Sequence, residues 1–216
     1  MATQHLDLEE QEQLDQLKAF WAKWGNAITW LLIAVLAAYA GWNGWQYWQR
    51  DKAENAAKLF GELELAVQAQ DPEKALRIVQ DMQANVAGAA LTEQAMLVAA
   101  KALADAGQWD QAKAQLLAAQ AQIKDAGLKA SVALRLAAVD MHSQSWDAAL
   151  THLQGNWPAS YVGLIEDRKG DIFNAKGDRA AAIQAYQASY RALSSGNAYR
   201  GMVGVKLNAL GVSIEE

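Results

Sequence analysis

Gly107 to Ala112 reads GQWDQA, and Gln144 to Ala149 reads QSWDAA. Gly177 to Ala182, GDRAAA, keeps the frame without the tryptophan. The closing alanines of these three stretches stand 37 and 33 residues apart. A further step of 37 back from Ala112 reaches Ala75, which closes QDPEKA (Gln70 to Ala75). Self-similarity at such a spacing marks a repeat architecture, so the chain reads as a stack of like units rather than one irregular core.

Each unit predicts a helix A, a tight turn and a helix B. Gly107 and Gly177 suit the left-handed residue that closes a helix. Asp71-Pro72 is a cap followed by proline at the first helical position. Trp109 and Trp146 open their helices B and pack on the helix before. Ala75, Ala112, Ala149 and Ala182 leave room for a close helix crossing, and Val79, Leu116, Leu153 and Tyr186 continue that face four residues on. Gly170 marks a second close approach, from the side of helix A. A final helix at about 198–210 caps the stack. The units resemble tetratricopeptide repeats, whose period is about 34 residues. They are degenerate, because that family's helix A aromatics are mostly replaced: Leu59, Met96, Ala133 and Glu166 fill one such column.

The fold class is therefore all-α. The part beyond Arg50 is rich in Ala, Gln, Leu and Lys, which favour helix. It lacks the alternation of β-branched and polar residues that strands require. Its 16 basic and 19 acidic residues form no basic cluster, which argues against nucleic-acid binding. The 216 residues carry a net charge of −5 and no cysteine, so disulfides and thiolate metal sites are excluded.

Outward from the repeats, towards the start of the chain, the chemistry changes. Trp24 to Gln49 is a run of 26 residues without charge. As a helix, the stretch from Trp24 to Trp45 spans roughly 31 Å, close to the thickness of a bilayer's hydrocarbon core. Trp21 and Trp24 bracket it on one side, and Trp42, Trp45 and Trp48 on the other. Indole rings favour the two membrane–water interfaces, so these five residues read as interface anchors of one transmembrane helix. The predicted organisation is an amphipathic segment at 1–25, a transmembrane helix at 26–48 and the repeat domain at 49–216. The first segment repeats Leu14, Leu17, Phe20 or Trp21, and Trp24 at helical steps behind an acidic start. Orientation is nearly balanced by charge: Lys18 and Lys23 lie before the span, and Arg50, Lys52 and Lys58 after it.

Reactive constellations are missing from the sequence. His5, His142 and His152 belong to no metal-ligand spacing. Gly196 to Gly201 fits the glycine spacing of a phosphate loop, but Met202-Val203 stand where Lys-Ser/Thr is needed. Glu166, Asp167 and Asp171 sit beside Arg168 and Lys169 and read as a solvated face rather than an acid–base pair. No catalytic residue, cofactor, metal or small-molecule ligand is expected. Function is expected to be binding, on the helix A residues that line the concave surface of such stacks. By register these are Gln94, Lys101, Leu134, Met141, His142, Asp167, Asp171 and Asn174.

LDQLKAFWAKWGN (Leu14 to Asn26), a single span, GWNGWQYWQ (Gly41 to Gln49) and degenerate repeats together resemble the ancillary subunits of the bacterial SecYEG translocon. The specific elements are Trp21, Trp24, Gly25, Gly41, Trp42 and Trp48, and the resemblance covers nearly the whole chain. It implies an inner-membrane protein with a short cytoplasmic N-terminus and a periplasmic repeat domain. The implied partners are the SecYEG translocon and periplasmic chaperones, during protein export. The charge count leans slightly the other way on orientation. An envelope assembly or polymer-binding scaffold would use the same repeat domain.

Overall fold

The computed structural model describes residues 8–213, and all its regular elements are helical. In chain order they are α1 (Leu8–Gln68), α2 (Pro72–Asn85), α3 (Ala90–Asp105), α4 (Trp109–Gln122), α5 (Ala126–His142), α6 (Trp146–His152), α7 (Ala159–Lys176), α8 (Arg179–Ala192) and α9 (Ala198–Ala209). Two compact units divide between Lys52 and Ala53.

In the first unit α1 carries a stretch long and apolar enough to cross a membrane, with only 6 % of its most apolar window buried. Trp30, Leu31, Leu32, Val35 and Leu36 are all more than half exposed. A core helix of a water-soluble domain would bury such residues. Two polar side chains within the stretch turn back on their own helix. Thr29 Oγ1 donates to the Gly25 carbonyl at 2.8 Å, and Asn43 Nδ2 to the Tyr39 carbonyl at 3.0 Å. That local satisfaction is what a hydrocarbon surrounding demands. At the far end the Trp42 and Trp45 rings meet at 5.4 Å, and the Lys52 ammonium lies 4.9 Å from the Trp48 ring.

In the second unit helices pair as the repeat frame predicts. α3 with α4, α5 with α6, and α7 with α8 form successive A and B helices, and Leu63 and Ala66 of α1 share one buried cluster with Ala75 and Val79 of α2. Ala75, Ala112, Ala149 and Ala182 are all fully buried. Val79, Leu116, Leu153 and Tyr186 are at most 3 % exposed. Side-chain caps start α2, α5, α8 and α9. Asp71 accepts from Lys74 N, Asp125 from Leu128 N, and Asp178 from Ala181 N. Each such cap is worth about 1 kcal/mol.

The turns between A and B are the same object made repeatedly. Gln70, Gly107, Gln144 and Gly177 each adopt a positive φ. Each donates its N–H three residues back, and the next residue donates five residues back, as in Asp71 N to Ala66 O and Ser145 N to Asp140 O. This is the Schellman closure of a helix. It recurs after α9, where Gly211 has φ +76° and Val212 N donates to Leu207 O. The five positions stand 37, 37, 33 and 34 residues apart. The capping helix expected at 198–210 is therefore present and ends like a helix A.

One helix B departs from the pattern. α6 has 7 residues and stops at His152. Gly155, with φ +135°, and Pro158 follow it, and neither suits a helix interior. Leu153 remains fully buried at the cap, and the Trp157 indole donates to its carbonyl at 3.0 Å.

Candidate partner-binding surface

The A helices α3, α5 and α7 lie side by side, since α5 contacts both α3 and α7. They carry all eight residues that the sequence singles out for binding. Gln94 and Lys101 are exposed on α3, and Lys101 pairs with Asp105 one turn on. Leu134 and Met141 on α5 are half-buried against the apolar cluster around Ala137, Ile165 and Ile172. His142, the last residue of α5, is exposed and stacks on Trp109 with ring centroids 4.0 Å apart. Asn174 is exposed on α7, and its carbonyl closes the Gly177 turn.

Asp167 and Asp171 stand apart from these, and the solvated-face expectation is corrected for them. Asp167 is 2 % exposed, and Asp171 is half-buried. Lys206 from α9 lies 2.8 Å from both oxygens of Asp167 and 2.7 Å from Asp171 Oδ1. Tyr199 Oη donates to Asp167 at 2.6 Å, and Tyr186 Oη to Asp171 at 2.9 Å. Burial, then the hydrogen bond to a carboxylate, pushes both tyrosine hydroxyls above their ordinary range. They stay protonated and donating. Lys206 bridges the two carboxylates, so this cluster ties α7 to α8 and α9. Helix α9 supplies Tyr199 and Lys206, the partners the sequence pattern did not disclose, from 32 to 39 residues away.

A second buried carboxylate works the same way between other helices. Asp140 on α5 is 1 % exposed and pairs with Lys113 of α4. Its other oxygen lies 3.1 Å from His152 Nε2 of α6. This joins three consecutive helices through one side chain, a role that no local motif signals.

Between α3, α4 and α5 lies a cleft of about 280 Å³. Ala100, Ala104 and Ala138 leave the space, Trp109, Leu116 and Val139 wall it, and Lys101 and Arg135 supply its charge. Arg135 was not singled out by the sequence reading. Its Nη1 donates to the Leu97 carbonyl at 2.7 Å, across to α3. Burial lowers its pKa from the ordinary arginine value, and Tyr161 opposes the shift. The available signal was a lone cation within the apolar stretch from Ala133 to Val139.

The sequence profile of the tetratricopeptide repeat-like domain matches residues 18–212. Three relatives bear the description "Ancillary SecYEG translocon subunit". That of Haemophilus influenzae is 32% identical, over 94% of this chain and 98% of its own. That of Neisseria gonorrhoeae is 27% identical, over 94% and 98%. That of Escherichia coli is 29% identical, over 94% and 97%.

Proposed function

Because the chain belongs to the ancillary SecYEG translocon subunit family, with a tetratricopeptide repeat-like domain, we propose that it is an inner-membrane protein that associates with the SecYEG channel. It acts by binding rather than by catalysis. Residues 26–48 cross the membrane between amphipathic residues 1–25 and the repeat domain at 49–216. Trp21 and Trp24 anchor one interface, and Trp42, Trp45 and Trp48 the other. The N-terminus is cytoplasmic, and the repeat domain is periplasmic. There it receives emerging chains and passes them to periplasmic chaperones, through the exposed A-helix residues Gln94, Lys101, His142 and Asn174 with Leu134 and Met141 beside them. Asp167 and Asp171 serve that surface indirectly, by holding α9 against α7.

The observation that carries the membrane part is an apolar stretch left exposed while its Thr29 and Asn43 bond within the helix. Purification of the full chain from membranes in mild detergent is expected to bring SecYEG with it. Protease added to spheroplasts is expected to digest the part after Arg50 and spare the start of the chain. Absence of SecYEG from the purified material overturns the association. Digestion only after the inner membrane is opened reverses the orientation.

A further inference from the structure

The cleft between α3, α4 and α5 combines three features that belong to no structural task described so far. Its walls are apolar, yet they are left open because Ala100, Ala104 and Ala138 are too small to fill them. Its charge is of one sign: Lys101 and Arg135 line it, and no acidic residue does. Among the described residues no carboxylate lies within ion-pair distance of Arg135. Lys101 does have a carboxylate, Asp105, but both side chains of that pair are more than 60 % exposed. Such pairs contribute little and exchange readily.

The volume narrows the choice of occupant. At about 280 Å³ the cleft lies just below the usual range for cofactor and small-molecule sites, roughly 300–1,000 Å³. It accommodates one large apolar side chain. A guanidinium that is half-buried and lacks an anion favours a carboxylate beside that side chain.

We propose that this cleft holds a short segment of a partner polypeptide, with a large apolar side chain seated between Trp109, Leu116 and Val139 and an adjacent carboxylate on Arg135. Lys101 stands at the rim and adds attraction without contact geometry of its own. The proposal rests on the binding role given above and specifies the class of segment bound.

The test uses the full chain in lipid nanodiscs and three labelled peptides, acetyl-GSFDGS-amide, GSFNGS and GSADGS, followed by fluorescence anisotropy. GSFDGS is expected to bind at least about tenfold more tightly than either control at low salt. Arg135→Gln is expected to remove the preference for aspartate over asparagine while keeping that for phenylalanine over alanine. Arg135→Lys retains part of the aspartate preference. If Arg135→Gln fails to fold by circular dichroism, Lys101→Glu at the exposed rim decides, because it must weaken GSFDGS and leave GSFNGS unchanged. Equal binding of GSFDGS and GSFNGS to the unaltered chain shows an unselective apolar cleft and overturns the proposal. So does absence of binding by a chain that still copurifies with SecYEG. Selective peptide binding by a chain that does not copurify with SecYEG would instead overturn the association and leave the cleft's role standing.

Discussion

The Lys206 ammonium lies 2.8 Å from each oxygen of the Asp167 carboxylate, and the two residues are 39 positions apart in the chain. Removing one partner of a buried pair leaves a charge without water or counter-charge. Lys206→Met should cost about 3 kcal/mol, the lower end for such breaks, because Lys206 itself keeps 27 % exposure. The double variant Lys206→Met/Asp167→Asn should cost less than the single. Hydrogen exchange on the full chain in detergent should show the lost protection concentrated in α9. Uniform loss over the whole repeat domain would contradict this.

The two tyrosines of that cluster predict an alkaline limit. Tyr186 and Tyr199 hold their protons more tightly folded than unfolded, through burial and their bonds to Asp171 and Asp167. A raised folded pKa gives stability that is complete below the unfolded value, about 10. That stability is lost as pH rises above this value towards the folded ones. Protection of α9 should therefore decline above pH of about 10, and Tyr199→Phe should make the decline shallower. An unchanged slope in the variant would remove Tyr199 from the cause.

Gly170 and Gly201 are both helical glycines with opposite expected responses. A Cβ on Gly170 would stand 2.4 Å from Cδ1 and Cε1 of the Tyr186 ring, whereas a Cβ on Gly201 meets nothing within 4 Å. Gly170→Ala should destabilise by about 1–3 kcal/mol through overpacking. Gly201→Ala should stabilise by about 0.5–1 kcal/mol through helix propensity. Guanidinium unfolding followed by circular dichroism compares them, and equal effects would refute the close α7–α8 approach.

Gln144 occupies the left-handed position that Gly107 and Gly177 fill elsewhere, with φ +56°. A side chain there costs roughly 1–2 kcal/mol. Gln144→Gly should recover about 1 kcal/mol, and Gly107→Ala should lose a similar amount. The same unfolding measurement checks both.

Ala112 is fully buried, whereas its neighbour Gln111 is exposed. Ala112→Phe should overpack the crossing by about 1–3 kcal/mol. Gln111→Ala should change stability by less than about 0.5 kcal/mol. Trp109 is only half-buried, so Trp109→Ala should fall below the roughly 3–5 kcal/mol of a fully buried ring. Comparable losses for Ala112→Phe and Gln111→Ala would break the repeat register.

What the sequence disclosed was local and periodic. The alanine at each helix crossing, the Asp71-Pro72 start and the glycines at 107 and 177 carry their reasons within a few residues. Gln70 and Gln144 take the same left-handed turn without glycine's signature, so only the spacing could have placed them. The short α6 was legible in Gly155 and Pro158, but the repeat frame masked it. The inward roles of Asp167 and Asp140 depend on Lys206, Tyr199, Lys113 and His152, which only tertiary packing brings near. Arg135 was hidden for a related reason: periodicity scores one charge in an apolar helix as an interruption, and the cleft exists only once α3 and α4 are in place.

The five Schellman closures at Gln70, Gly107, Gln144, Gly177 and Gly211 have a kinetic consequence. Each draws both of its hydrogen bonds from the helix it ends, so none waits for a distant strand or helix to arrive. Loop-closure entropy is paid over a few residues at a time, which places this domain among the rapidly folding topologies. A helical pair can form wherever its turn first closes, and neighbours then add to either side. For a chain made residue by residue, each unit can close its own turn once its 33 to 37 residues are available, and it gains stability as the following unit packs on it.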